Sequence, residues 1–314
     1  MTQEENDSKH TGHIAIPDDM PWYKSPEHVS YYLDIGDKLL DAYYHDKVYA
    51  LGQSVSWPFK ISEISHQKPS DVVTIPFSGK FHTPSTPNFS KDKIFEKNAE
   101  APSEVQLKNY RKILTEKGLS PEQIMQRASD DKQKIVLVDY LSSGAGMASF
   151  LSVILDWAEE CQIPSKVLAS NIKIETFGAE CTSIKIPGHD AIKVHSNGYN
   201  HEMFFPLVND RKDFAVHHGI SPIEDRLVPS YPFRKWTADP PPIGNDAEIK
   251  EITAAITQCL EKVHLDSEQS LKKFALANPK EAKYARSINE NTVAQHDAKM
   301  TRGLEAIKAR EGVD

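Results

Sequence analysis

KIVLVDYLSSGAGMASFLSVIL, from Lys134 to Leu155, passes from one apolar run through a cluster of small residues to another apolar run. The first part, Lys134 to Asp139, is short, continuous and rich in β-branched residues, as a strand buried on both faces must be. The last part, continued to Cys161, carries Phe150, Leu151, Ile154, Leu155 and Trp157 at helical spacing from Ser149 onward. Between them, Gly144, Ala145 and Gly146 leave the backbone open to close approach, and Ser142, Ser143 and Ser149 offer hydroxyls. A helix start presents unpaired N–H groups and the positive end of its dipole. A strand, a small-residue loop and a helix therefore make a natural phosphate cradle. Asp139, at the expected end of the strand, is placed to accept hydrogen bonds from sugar hydroxyls. The loop is not a Walker A sequence, since no Lys follows the glycines, and it is not GxGxxG. The same residues also suit a tight turn that needs glycine only for its backbone geometry.

Working outward, the spacing predicts a helix over His28 to Tyr44, started by Ser25-Pro26-Glu27, and a buried strand at Val48 to Leu51 that ends in Gly52 and turns at Gln53-Ser54. Asp71 to Phe77 reads as a further strand closed by Ser78-Gly79. Thr83 to Pro102 is polar and Pro-bearing and reads as a long loop. Ser103 to Ala128 reads as two helices broken at Gly118-Leu119-Ser120-Pro121, with Ser120 as N-cap and Gln123 at the third position. Val167 to Phe177 and Ala191 to His195 suggest further strands. Strands separated by helices imply a mainly parallel sheet. Ligands then sit outside the carboxyl ends of the strands, on the rim formed by the loops after Leu51, Phe77 and Asp139.

Residues 1–20 are polar and read as a disordered tail, and Pro240-Pro241-Pro242 stops any regular element. The expected organisation is a tail at 1–20, an α/β domain at 21–243 and a charged helical extension at 244–314. The chain of 314 residues carries a net charge of −8, which argues against nucleic acid or an anionic membrane as the main partner. Three scattered cysteines, Cys161, Cys181 and Cys259, make neither a disulfide framework nor a zinc pattern and suit a reducing, cytoplasmic compartment.

The 135–149 pattern of hydrophobic strand, acid, spacers, hydroxyl residue and Gly resembles the phosphoribosyl pyrophosphate (PRPP) signature of type I phosphoribosyltransferases. The resemblance covers roughly residues 45 to 180 and implies that family's α/β fold, a mainly parallel sheet flanked by helices. It also implies a glycosyltransferase-type activity on PRPP with Mg²⁺ held through the ligand. Asp139 matches the first acid of the signature, and Ser143 and Gly144 match its Thr-Gly. Tyr140 stands where the family has a second acid, and Gly146 where it has a final Thr or Ser, a hydroxyl that Ser149 would replace. Carried over, Asp139 and Tyr140 take the catalytic positions. Ser142, Ser143, Gly144, Ala145, Gly146, Met147 and Ser149 hold the 5′-phosphate. Gly52, Gln53 and Ser54, or Ser78, Gly79 and Lys80, hold pyrophosphate, and 83–102 takes the place of the mobile active-site loop. With the second acid missing, a non-catalytic member of the fold is the alternative: a binder of a nucleotide or sugar phosphate that acts as a regulator or interaction protein, with the C-terminal helices as a partner surface.

Other groupings carry weaker expectations. His195, His201, His217 and His218 with Glu202 and Asp210 form a loose cluster whose spacing matches no metal-ligand pattern. Cys161 or Cys181 paired with a histidine would make a nucleophile, but small buried hydrophobe is the default for both. Tyr231, Phe233 and Trp236 suit core packing, with base stacking as the alternative.

Overall fold

The computed structural model describes residues 21–52, 55–86, 90–98, 100–130, 132–141, 143–178, 181–196, 231–237 and 246–277. The expected tail and most of the Pro-rich 206–243 segment lie outside these. In chain order the elements are α1 (Pro26–Ala42), β1 (Lys47–Leu51), α2 (Ser56–His66), β2 (Val73–Ile75), β3 (His82–Pro84), β4 (Asp92–Lys97), α3 (Glu104–Glu116) and α4 (Pro121–Asp130). There follow β5 (Ile135–Leu141), α5 (Ala145–Glu160), α6 (Ser165–Ala169), β6 (Ile172–Gly178), β7 (Ser183–Lys185), β8 (Ile192–Lys193), β9 (His195–Ser196) and α7 (Asp246–Ala277).

The main sheet has the order β2-β1-β5-β6-β9, with every neighbouring pair parallel. β5 sits at its centre, and Ile135, Val136, Leu137 and Val138 are all buried, as the unbroken apolar run requires. One face packs against α3, α4, α5 and α6 and the other against α1, α2 and the first turns of α7. The fold is therefore α/β, a parallel sheet flanked by helices. β2 lies on one side of β1 and β5 on the other, so the gap between β1 and β5 is the topological switch point, where open α/β sheets form their crevice. The loops after β1, β2 and β5 share that rim, as the parallel pairing demands.

Local signals set the helix ends. Ser25 caps α1, accepting from the His28 N–H at 3.4 Å, with Pro26 at the first helical position. Capping boxes start α3, through Ser103 and Gln106, and α4, through Ser120 and Gln123.

Four expectations change. The 83–102 segment is not one long loop, because β3 and β4 form an antiparallel pair within it. They continue through β7 and β8 into a second, four-stranded sheet. Alternation explains the error: Lys93 and Phe95 are buried while Asp92, Ile94 and Glu96 are exposed, so few apolar residues are needed to seat β4. The 167–177 strand region is divided, with α6 ending at Ala169 and β6 starting at Ile172. The strand expected from Asp71 to Phe77 narrows to Val73–Ile75. α2, with Trp57, Phe59 and Ile61 buried against α1, has no counterpart among the sequence expectations.

By its internal contacts the chain divides into residues 1–260 and 261–314. The division falls inside α7, whose Ile252, Ile256, Cys259 and Leu260 are buried with the α1 core. Among the described residues no helix is long and apolar enough to cross a membrane.

Candidate functional site at the switch point

β5 runs two residues past Asp139, so Asp139 and Tyr140 lie within the strand and not at its end. Successive strand side chains point to opposite faces. Ile135, Leu137 and Leu141 join the core on the α5 side; Val136, Val138 and Tyr140 join the core on the α1 side. Asp139 therefore shares the α5 face and Tyr140 the α1 face. The two catalytic positions carried over from the resemblance do not converge on one sugar ring.

Asp139 is half-buried, and one of its oxygens accepts from the Tyr140 N–H at 2.8 Å. Burial pushes its carboxyl up to about 8, against the lowering effect of that hydrogen bond. At neutral pH it is an uncharged acid, able to donate a hydrogen bond but bringing no negative charge. Beside it in register on β6 stands Thr176, buried, with no hydrogen-bond partner for its Oγ1 among the described residues. A protonated carboxyl and an unsatisfied hydroxyl thus sit together on one face of the sheet. No local motif marks Thr176; only strand pairing brings it to Asp139.

The small-residue loop closes tightly. Gly144 takes φ +82° as N-cap of α5, a left-handed conformation that explains the glycine. A Cβ there would stand 3.1 Å from Cζ of Phe95, which reaches over the loop from β4. The Ser143 Oγ accepts from the Ala145 N–H at 3.3 Å. Gly146 is half-buried, and a Cβ on it would find Gly79 O as its nearest neighbour, at 3.8 Å. The Ser78–Lys80 stretch therefore lies beside the start of α5, with Lys80 exposed. Gly52 ends β1 at φ +67°, and its carbonyl accepts from Ser56 Oγ at 2.7 Å. Gln53, Ser54 and Ser142 lie outside the described residues. Met147 gives its side chain to the core, leaving only its backbone to a ligand.

Ser149 is fully committed elsewhere. The helix starts at Ala145, so Ser149 falls in its second turn, 0 % exposed. Its Oγ donates to Ala145 O at 2.8 Å and accepts from the N–H groups of Phe81 and His82 at 2.9 and 3.2 Å. This hydroxyl docks β3 onto α5 and cannot also hold a phosphate.

The remaining groupings resolve simply. Trp236 stacks on Tyr110 at 3.9 Å between ring centres, and both are buried with Tyr231, so core packing accounts for these aromatics. The Cys161 thiol is pushed up by its hydrogen bond to Glu122 and the Cys181 thiol by burial, so neither is an activated thiolate. His195 bonds to Glu175, while the other histidines of the loose cluster lie outside the described residues. Among the described residues no group of three or more His, Cys, Asp or Glu side chains is placed to hold a metal ion. No family model matches the chain, and no curated protein or solved structure is similar to it.

Proposed function

We propose that the chain is a phosphoribosyltransferase-like protein that binds a ribosyl phosphate at the β1/β5 crevice without transferring the ribosyl group. The observation that carries this reading is the meeting of two glycine-bearing segments on one rim, with Gly146 at the start of α5 facing Gly79. The helix start would take the 5′-phosphate through its N–H groups, and Lys80 supplies a nearby point charge for a second anionic group. Asp139, protonated, and Thr176 would hydrogen-bond sugar hydroxyls. Any Mg²⁺ would be held by the oxygens of a pyrophosphate-bearing ligand, because an uncharged Asp139 and a Tyr140 turned to the other face fit a cation poorly.

The same two residues favour binding over transfer. An oxocarbenium-like centre is stabilised by negative charge, and the described residues around Asp139 provide none there at neutral pH. Calorimetry with ribose 5-phosphate, and with PRPP in the presence and absence of Mg²⁺, tests the reading alongside a pyrophosphate-release assay over a panel of bases. The expected result is binding without release. Gly146→Ala is the informative variant. The methyl group meets only an ordinary contact in the fold, and it replaces glycine in a helix, which gains up to about 1 kcal/mol. Unchanged or higher thermal stability with a loss of affinity of about tenfold supports the cradle; unchanged affinity removes it. Rapid pyrophosphate release by the wild type would restore the transferase reading.

A further inference from the structure

At the free edge of the main sheet, away from the switch point, lies a second group of polar side chains. β9 pairs with β6 only at Glu175 and Thr176, which leaves the first half of β6 beside a cleft of about 640 Å³. That size suits a small organic ligand. Ile172, Ile174, Ile192 and Val194 give the cleft an apolar floor, and around it lysines outnumber carboxylates four to two. Strand alternation turns Lys173 and Glu175 of β6, and Lys193 and His195 of the adjoining segment, away from the core that holds these four apolar residues.

Glu175 is 1 % exposed. Its carboxylate accepts from the Tyr43 hydroxyl and from His195 Nδ1, at 2.7 and 2.9 Å to its two oxygens. An ionised carboxylate only accepts hydrogen bonds, so Nδ1 carries the proton and Nε2 is the nitrogen that can meet a ligand. The His195 side chain is 70 % exposed, although its anchor is buried. Lys173 is fixed too, bonded to Asp46 at 2.6 Å and lying over the Tyr43 ring. A buried acid that orients an accessible imidazole, beside lysines and over an apolar floor, is more than a solvated charged face requires.

We propose that this cleft is a second ligand site, which takes a phosphate monoester on an apolar ring-bearing body, such as a nucleoside or aryl monophosphate. The phosphate meets His195 Nε2 and Lys193, and the body lies on Ile172, Ile174 and Ile192. The site is independent of the switch-point crevice.

Calorimetry on the full chain tests it with adenosine 5′-monophosphate and phenyl phosphate, set against inorganic phosphate and adenosine. Both monoesters should bind, and inorganic phosphate and adenosine should each bind about tenfold more weakly or worse. His195→Gln and Lys193→Glu change exposed side chains and should leave the melting temperature in place while each reduces affinity about tenfold or more. Gly146→Ala should have no effect here, which separates this site from the crevice. Absence of binding, equal binding of inorganic phosphate, or affinity unchanged in both variants would overturn the proposal.

Discussion

Asp139 and His82 make opposite contributions to stability as pH changes. Burial keeps Asp139 protonated to about 8 in the folded chain, whereas an unfolded aspartate ionises near 3.9. The folded state holds the extra proton between those values, so this contribution is full at low pH and is lost as pH rises through about 8. For His82, burial and then Lys97 push the imidazole down to about 4, with Asp156 opposing. An unfolded histidine protonates near 6.5, so this contribution is present above 6.5 and is lost as pH falls towards 4. Each slope is at most about 1.4 kcal/mol per pH unit. They oppose one another between about 4 and 6.5, and above 6.5 that of Asp139 stands alone. Denaturant titrations from pH 4 to 9 should show Asp139→Asn losing the alkaline decline and becoming acid-sensitive. His82→Phe should instead decline from low pH upward. Identical profiles for wild type and both variants would assign the pH dependence to other groups. Tyr140→Asp offers a further test. Tyr140 is 9 % exposed in the α1-side core, so an aspartate there does not complete an acid pair. It should cost at least about 2 kcal/mol as a poorly solvated polar group, with no gain in pyrophosphate release.

At the scale of elements, α5 accounts for much of the site. Eleven of its sixteen residues are buried, because the main sheet covers one side and the second sheet the other. The residues that suggested a phosphate cradle thus also serve as joints. Ser149 ties β3 to the helix, and Ser149→Ala would leave the Phe81 and His82 N–H groups without their acceptor. A loss of about 1–3 kcal/mol is expected, with ribose 5-phosphate affinity unchanged in calorimetry. Phe95, 1 % exposed, covers Gly144 from β4. Phe95→Ala should cost about 3–5 kcal/mol by cavity formation while opening the loop to ligand. Chemical denaturation and calorimetry on the same preparation separate the two effects, and a drop in both stability and affinity would mean that Phe95 shapes the site rather than lids it.

Across the whole molecule, the parallel sheet divides the polar chemistry between two places. The switch point between β1 and β5 collects the glycine loops, Asp139 and Thr176. The free edge of β6 collects Tyr43, Glu175 and His195, drawn from α1, β6 and β9. If both proposed sites bind, a ribose 5-phosphate titration and an adenosine 5′-monophosphate titration should not compete. Saturating one ligand should leave the apparent affinity for the other within about twofold. Direct competition would show that one site takes both ligands.

The sequence by itself determined the α/β class, the central strand, the paired helices α3 and α4 with their capping boxes, and the shared rim of the strand ends. These follow from local periodicity, capping and composition, which each segment carries within itself. It also marked the small residues before α5, because glycine at φ +82° is a local demand. Only the tertiary structure decided what those residues do. The covering of the loop by Phe95, the use of Ser149 to hold β3, and the separation of Asp139 from Tyr140 by the plane of the sheet depend on partners or strand ends that the motif does not contain. The Glu175–His195–Tyr43 group was illegible for the same reason. Its members lie up to 152 positions apart and are joined by strand pairing and a helix end, so no spacing in the chain announces them.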